Sequence, residues 1–533
     1  MAHSFEEMFK QKNHILQSIL QLCAGILVVS VLALSLVGIR GNPSENELNK
    51  SPWKGSTVFE LSPERGRFAL TYALVEKSSF FLTRDLAQFA SPDVGYHNGE
   101  YVSIFAPLLS LLLVPGYILG KFFGASQVGA GVVIMLAALA NFVLIRTISI
   151  KLKAHPIAGT IAGLVFIFAT PAFPYAVNLY QHHVSTLLVL MSLYLYVSSS
   201  SWLSLAGIFF LSGLSIPLDY PNAFLMFPIA LAACGKICRF DTIKDTVSMH
   251  LSLKLLTSIL IVLLPLGMFM YFNSHIYGGP FTLSGTVQTL TFNDQAGTTA
   301  QDLTTIPINS EIEKQIDEKG TRSAVGFFQT RNMLNGLYIL FISPDRGLLV
   351  YAPLMLLGLF GSILLIKNSS PHAPLMLGVI GANIVLYTMW GDPWGGWAFG
   401  SRYLIPSYAL ISILLALEIT KLRYSTLFVT VMLLLVNYSV AVNALGALTS
   451  IAIPPQIQVL ELEKLSGIVQ KYTFTRNYDL LIDGRISSFA YQTFLSNQIS
   501  AVNFYAMIVI PIMSIIALLT LYLYQHHSRS EAS

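Results

Sequence analysis

The stretch Trp390-Gly391-Asp392-Pro393-Trp394-Gly395-Gly396-Trp397-Ala398-Phe399-Gly400-Ser401-Arg402-Tyr403 lies between two apolar runs, at 374–391 and 403–419. Each run is long enough to cross a lipid bilayer as a helix. Three of the five tryptophans of the chain fall in this stretch, which is typical of the membrane interface. The stretch also combines flat aromatic faces, glycines, one carboxylate and one guanidinium. These groups suit a loop that holds a saccharide ring and a phosphate.

The composition indicates a membrane protein. Of the 533 residues, 54% are hydrophobic and only 11% are charged, whereas about a quarter are charged in soluble proteins. The net charge of +4 is small and its lysines and arginines are dispersed, so we expect no nucleic-acid partner. The three cysteines support neither a disulfide framework nor a zinc site.

Apolar runs of about 20 residues recur along the chain and predict about twelve membrane-spanning helices. The first run, 15–39, has no well-placed cleavage pattern, so we expect it to remain as an anchor. The sequence therefore predicts an all-α polytopic membrane protein. The other predicted spans are 127–147, 157–175, 182–198, 202–217, 221–235, 252–272, 334–366, 374–391, 403–419, 425–448 and 502–524.

The apolar run at 104–120 decides the orientation, because counting it as a span inverts every later loop. If it lies along the membrane surface, the short basic clusters fall on the same side as Lys10 and Lys12, which is then cytoplasmic. Pro107 and Pro115 also disfavour a straight span. We therefore predict a juxtamembrane helix at 104–120. The clustered basic residues are Arg146, Lys151, Lys153, Lys236, Arg239, Lys244, Lys367, Lys421, Arg423 and Arg529.

This orientation places the polar, glycine-rich and acidic clusters on the extracytoplasmic face, where they predict one site under long loops. The predicted division is a cytoplasmic N-terminus at 1–14, a transmembrane catalytic domain at 15–448, an external cap at 449–501, a last helix at 502–524 and a cytoplasmic tail at 525–533. Within the catalytic domain, 40–126 and 273–333 are the external loops.

Four motifs carry a resemblance to a known family. They are ERGRFALTYALVE at 64–76, DVGYHNGEYVSIFAPLL at 93–109, SPDRGLL at 343–349 and WGGWAFGSRYLIP at 394–406. Their order resembles the GT-C superfamily of integral membrane glycosyltransferases. It is closest to the branch that uses polyprenyl- or dolichyl-phosphate sugars, which includes protein mannosyltransferase and aminoarabinose transferase relatives. The resemblance extends from Ile15 to about Leu448.

The resemblance implies transfer of a sugar from a polyprenyl- or dolichyl-phosphate donor to an acceptor hydroxyl of a glycan, lipid or protein, with inversion. Such enzymes carry the catalytic carboxylate in the first external loop. Here Glu64 stands three residues before Arg67 and the usual doubled acid is absent, so the base is either Glu64 or Asp93. A guanidinium grips phosphate oxygens bidentately, which favours Arg402 as the phosphate clamp, with Arg346 as its partner.

Further side chains are expected to bind the substrate. His182 and His183 are adjacent and point in different directions on a helix, so we expect hydrogen bonds to substrate rather than a metal site. No motif requires a cofactor, although a divalent metal ion is left open. The remaining candidates for substrate binding are Arg67, Tyr96, Asp392, Trp394, Trp397 and Tyr403.

Two other functions are compatible with the sequence. A secondary transporter of a polar or lipid-linked substrate would also have about twelve spans, but it would carry paired broken helices in two halves. A non-catalytic scaffold subunit of the same fold would explain the missing acidic doublet. We expect the enzyme to work among lipids in a prokaryotic plasma membrane, because the sequence has neither a cleavable leader nor a retention signal.

Overall fold

The computed structural model describes residues 2–55, 58–243, 246–290, 292, 327–367 and 372–528. Most of the predicted loop 273–333, part of the tail 525–533 and the basic residues Lys244 and Arg529 therefore lie outside the described residues.

The described chain is a bundle of apolar helices. Six helical segments have the length and apolarity of a membrane span, and six shorter apolar helices accompany them. Large apolar side chains point outward from the bundle, such as Leu22 at 64% exposure and Leu334 at 81%. Such a surface is stable in lipid and not in water. The prediction of an all-α, multi-pass membrane protein is confirmed. The long segments are Ile15–Ser35, Ser126–Lys151, Leu253–Ile276, Arg402–Leu422, Thr426–Leu448 and Ala501–Gln525, and the shorter helices are Leu108–Phe122, Pro156–Phe168, His182–Ser198, Trp202–Leu218, Asn222–Ile237 and Ala373–Thr388.

The centre of the bundle is formed by two helices, Pro156–Phe168 and Ile405–Leu422, whose side chains are almost all buried. The helix Met355–Lys367 packs tightly on the second of them through glycines. A Cβ at Gly358 would lie 2.7 Å from the carbonyl oxygen of Ile411. Small residues thus let two backbones approach closely, as is common between helices in membranes.

The prediction of one span over 334–366 is wrong. Pro344 and Pro353 lack a backbone N–H, so the helix breaks twice in this region. The carbonyl oxygen of Tyr351 at the second break accepts a 2.7 Å hydrogen bond from Asn443 Nδ2. A neighbouring helix therefore satisfies backbone that would otherwise be unpaired in lipid. The resulting helices are Met333–Phe341, Leu348–Tyr351 and Met355–Lys367.

The region predicted as a juxtamembrane helix forms the helix Leu108–Phe122. It turns back on Ser126–Lys151 with very close backbones, since a Cβ at Gly116 would lie 2.4 Å from the carbonyl oxygen of Gly129. The helix Ser62–Glu76 packs on its other side, where Thr71 Oγ1 donates to the carbonyl oxygen of Ser110 at 3.1 Å. These contacts fix the helix that carries Glu64.

Short elements connect the long helices. The strand Val94–His97 pairs antiparallel with Glu100–Ser103 on one side and with Thr289–Leu290 on the other. A separate hairpin pairs Cys238–Ile243 with Thr246–Leu251. These two small sheets were not predicted. The remaining short helices are Glu45–Leu48, Arg84–Ala90, Ala172–Ala176, Gln456–Ser466 and Thr475–Ile482.

Candidate functional site

Glu64 lies in the first turn of the helix Ser62–Glu76 and is only 3% exposed. The turn begins here because Pro63 fits the first positions of a helix and the Glu64 side chain accepts the Leu61 N–H at 3.4 Å. Burial raises the pKa of Glu64 to about 7, although the Leu61 N–H and the charges of Arg65, Arg67 and Arg402 oppose this shift. A carboxyl with such a pKa is suited to accept a proton near neutral pH.

Two arginines lie over the ring of Tyr180, and the charge of each acts on Glu64. The guanidinium carbon of Arg67 lies 5.3 Å from the centre of that ring, and that of Arg402 lies 5.2 Å from it. Arg67 also stacks on Phe105 at 4.6 Å and donates to Gln181 Oε1 at 2.6 Å. Two cations therefore share one buried aromatic ring within electrostatic range of a buried carboxyl, where such interactions are stronger than in water.

Arg402 retains unused hydrogen-bond donors. Its Nη2 donates to the carbonyl oxygen of Gly395 at 2.6 Å, while Nε and Nη1 are buried without a hydrogen bond. Gly395 has a φ of +71°, and a Cβ there would lie 3.0 Å from Arg402 Nε and 3.2 Å from the ring of Tyr403. Buried donors without a partner are rare in proteins and are expected where a ligand binds.

Polar and aromatic side chains complete this cluster. The ring of His182 stacks on Tyr180 with centres 5.9 Å apart, and its Nε2 is buried without a hydrogen bond. Tyr403 stacks on Tyr387 at 4.1 Å. Asp219 accepts from Gln181 Nε2 at 2.9 Å. We name this set the catalytic cluster after the role that we propose for it in the next subsection; it consists of Glu64, Arg67, Tyr180, Gln181, His182, Asp219, Tyr387, Arg402 and Tyr403.

Glu60 is a second carboxyl beside Glu64 that the sequence analysis missed. Its Oε2 accepts from Ser450 Oγ at 2.9 Å and from the Ile451 N–H at 3.1 Å. Burial and the charge of Glu64 raise the pKa of Glu60 to about 8, against the effect of these two hydrogen bonds and of Arg476. Glu60 and Glu64 are four residues apart in the sequence. This spacing was the signal that could have identified an acidic pair, because two carboxyls can pair without being adjacent in the chain.

Asp93 contacts the start of the Glu64 helix. Its Oδ2 accepts from Ser62 Oγ at 2.5 Å, and the side chain is half-buried. Tyr96 follows on the strand Val94–His97, where its ring packs on Tyr101 at 5.4 Å. Asp93 therefore joins the small sheet to the helix, whereas Tyr96 packs within the sheet.

Arg346 is 1% exposed and binds backbone. It donates through Nε to the carbonyl oxygen of Trp394 at 3.0 Å and through Nη2 to those of Gly396 at 2.9 Å and Ile453 at 2.8 Å. Its Nη1 donates to the carbonyl oxygen of Asp345 at 2.8 Å. The structure thus uses Arg346 to join the tryptophan stretch to the segment after residue 448.

The other predicted residues of the tryptophan stretch shape its turn. Asp392 is exposed, and its Oδ2 accepts the Gly396 N–H at 2.6 Å. Trp397 is 38% exposed, and its Nε1 donates to Gln458 Oε1 at 2.9 Å. Trp394 is half-buried and contributes its carbonyl to Arg346.

His183 lies away from the catalytic cluster. Its Nε2 is 2.8 Å from the carbonyl oxygen of Ala172, and the backbone carbonyl oxygen of His183 accepts a 2.9 Å hydrogen bond from Asn141 Nδ2. The two neighbouring histidines thus have different surroundings, as their adjacent positions on a helix require. Among the described residues, no group of three or more His, Cys, Asp or Glu side chains is arranged to hold a metal ion.

Comparison with known proteins gives limited information. No protein-family model and no curated protein sequence matches the chain. The crystal structure of ArnT from Cupriavidus metallidurans in the apo state is similar at a TM-score of 0.45 and 11% identity, covering 94% of this chain and 77% of that one. The structure of ArnT from the same organism bound to undecaprenyl phosphate has a TM-score of 0.43 and 11% identity, covering 96% and 79%. Both likenesses are too low to carry a functional conclusion.

Proposed function

We propose that this protein transfers a sugar from a polyprenyl-phosphate donor to an acceptor hydroxyl, on the extracytoplasmic face of the membrane. The observation that carries the proposal is the catalytic cluster, in which two arginines share the ring of Tyr180 and their charges act on a buried carboxyl with a pKa near neutrality. The sequence resemblance to GT-C glycosyltransferases supplies the donor class. The basic residues on the opposite side of the predicted topology support the choice of face.

Glu64 is the general base of the proposed reaction. Its carboxylate takes the proton of the acceptor hydroxyl, while the hydroxyl oxygen forms a bond to the anomeric carbon of the sugar. The bond between that carbon and the phosphate oxygen breaks, and its electron pair leaves with the phosphate. One displacement inverts the configuration at the anomeric carbon. A positioned base of this kind contributes about 10²–10⁴-fold to the rate.

Arg402 binds the phosphate of the donor. Its Nε and Nη1 are buried and lack a hydrogen bond, and each can donate a charge-assisted hydrogen bond to a phosphate oxygen. Such donors also stabilise the negative charge that develops as the phosphate leaves, because they are already oriented before the reaction. Arg67, held by Gln181 and Phe105, adds a second positive charge at the same place. A phosphate leaving group needs no separate acid.

The test is sugar transfer by the full-length chain in lipid nanodiscs. Radiolabelled polyprenyl-phosphate sugars are the donors, and the wild type is compared with Glu64→Gln and Asp93→Asn. We expect transfer by the wild type and its loss in Glu64→Gln at unchanged expression. Loss in Asp93→Asn alone would make Asp93 the base. If the wild type transfers no sugar and hydrolyses no donor, the enzyme proposal fails, and uptake assays would then test for a transporter.

A further inference from the structure

A half-exposed aromatic surface lies where the tryptophan stretch meets the segment 449–501. Trp397 is 38% exposed, and its indole edge is held by the hydrogen bond from Nε1 to Gln458. The guanidinium carbon of Arg476 lies 5.8 Å from the centre of the indole. The ring is thus fixed in place by two polar side chains while part of it stays open.

Arg476 has an unused donor at this surface. Its Nε is buried and has no hydrogen-bond partner. Its charge also acts on Glu60, where it lowers the carboxyl pKa against the larger effect of burial. The next residue, Asn477, donates to the carbonyl oxygen of Ser450 at 2.6 Å, and Ser450 in turn donates to Glu60. Arg476 therefore lies over the indole of Trp397 on a helix that packs beside the segment that holds Glu60.

Glu60 connects these groups to the catalytic cluster. Its carboxyl accepts hydrogen bonds from Ser450 and Ile451, at the beginning of the same segment that carries Gln458 and Arg476. Glu64 Oε2 accepts the N–H of Leu61, the residue directly after Glu60, at 3.4 Å, so the two glutamates adjoin at the start of the same helix. An indole, an amide, a guanidinium and a carboxyl consequently lead from the half-exposed surface to the proposed base.

These groups match the chemistry of a saccharide. A sugar ring has an apolar face of C–H groups that packs on an aromatic ring, and a rim of hydroxyls that both donate and accept hydrogen bonds. Arginine donates, a carboxylate accepts, and glutamine does both. The acyl chain of a lipid would require apolar walls, and an extended peptide would require a strand edge that pairs with its backbone. The groups here resemble neither.

We propose that Trp397, Gln458, Arg476 and Glu60 form the acceptor site and that the acceptor is a saccharide, one hydroxyl of which is presented to Glu64. That this site binds the acceptor rests on the proposed function. Trp397 stacks on the sugar ring, while Arg476 and Glu60 orient its hydroxyls. Of the three acceptor classes that the resemblance allows, glycan, lipid and protein, the proposal selects the glycan.

The experiment measures binding and transfer separately. The full-length chain in nanodiscs is titrated with cellobiose, maltose and diacetylchitobiose by saturation-transfer difference NMR, which requires no donor. The same disaccharides, a serine-containing hexapeptide and phosphatidylglycerol vesicles are then offered as acceptors of radiolabelled sugar. The variants are Trp397→Ala, Trp397→Phe and Arg476→Gln. The matched controls on the same segment are Tyr478→Ala and Arg485→Gln, whose side chains are exposed.

We expect at least one disaccharide to bind and to accept sugar. Trp397→Ala and Arg476→Gln should each raise the acceptor KM about tenfold, which is the effect of losing one stacking or charged contact. Donor KM should not change, Trp397→Phe should recover most of the acceptor affinity, and the controls should resemble the wild type.

Two results would overturn the acceptor site. One is an absence of disaccharide binding to the wild type; the other is transfer to the peptide or the vesicles with an acceptor KM that is insensitive to Trp397→Ala. Failure of the proposed function has a different signature. In that case no donor is hydrolysed or transferred, whereas disaccharide binding that depends on Trp397 would still support a saccharide site.

Discussion

Arg346 and Arg402 lie at the same end of the bundle but bind different partners. Arg346 donates to the carbonyl oxygens of four residues and is 1% exposed. Arg402 donates to one carbonyl and keeps two buried nitrogens without a hydrogen bond. A guanidinium has five N–H donors, and the number already bound to protein groups distinguishes the roles of the two arginines. The Arg346 region is built for stability, whereas the catalytic cluster around Arg402 keeps donors that a ligand can use.

The largest expected effect is on the stability of the Arg346 region. Arg346→Met would remove a donor from four carbonyl oxygens. That of Ile453 would keep the Ala398 N–H, and the other three would be left unsatisfied, at about 1–3 kcal/mol each. We expect a loss of about 3–9 kcal/mol in unfolding free energy, measured by thermal and denaturant unfolding in detergent micelles. Arg485→Met, at an exposed arginine, is the control. Equal stability of the two variants would contradict the structural role of Arg346.

The next effect concerns catalysis rather than stability. Glu64→Gln keeps the shape of the side chain but removes the base, so turnover should fall about 10²–10⁴-fold. Donor affinity and the unfolding midpoint should stay near those of the wild type. The control is Glu76→Gln at the other end of the same helix, where the carboxylate binds Lys121 and Tyr117. A stable Glu64→Gln variant with full activity would remove Glu64 from the mechanism.

A smaller change is expected when the unused donors are removed. Arg402→Gln should weaken binding of polyprenyl phosphate about 10–100-fold, since hydrogen bonds to charged groups contribute about 1.5–3 kcal/mol. Arg402→Lys retains the charge but loses the planar guanidinium and its two separate donors, and should give an intermediate affinity. Isothermal titration in nanodiscs measures both. If the affinity is unchanged, the buried donors of Arg402 do not serve the phosphate.

The smallest effect is a dependence on pH. The pKa of Glu64 is about 7 and the base acts when deprotonated, so kcat/KM should rise as pH increases through 7. Glu60, with a pKa of about 8, binds its proton more tightly in the folded state than in the unfolded state. It therefore stabilises the fold at low pH, and this contribution is lost as pH rises towards and through 8.

The Glu60→Gln variant tests how much Glu60 contributes to the pH dependence of the unfolding free energy. Its unfolding free energy should fall less between pH 5 and pH 9 than that of the wild type. Glu463→Gln, at an exposed carboxyl, should follow the wild type. Parallel curves for Glu60→Gln and the wild type would show that Glu60 is not buried in solution as described.

The sequence predicted the parts of the fold that depend on local composition. Apolar runs located the helices, because hydrocarbon surroundings require long apolar segments with internal hydrogen bonds. Averaged hydropathy concealed the breaks at Pro344 and Pro353, since the neighbouring residues are strongly apolar. Arg346 was visible in the sequence, but its partners at Trp394, Gly396 and Ile453 were not. They are distant in the chain, so no local pattern could assign them.

The same distinction applies to the catalytic cluster. Glu64, Arg67 and Arg402 were named from motifs. The structure places both arginines and His182 around Tyr180, a residue that was not itself selected as a site residue. Glu60 was missed because its hydrogen-bond partners, Ser450 and Ile451, are hundreds of residues away. His182 and His183 could not be separated by residue type, since only packing shows which ring joins the cluster.

The hydrogen bonds of Arg346 also constrain the order in which the molecule is assembled. A chain is synthesised from its N-terminus, and regions fold as they become available. Arg346 joins the bundle long before Ile453 leaves the ribosome, so its full set of carbonyl partners exists only after more than a hundred further residues have been made. The end of the bundle that holds Arg402 consequently reaches its final shape late, when most of the spans are already in the membrane.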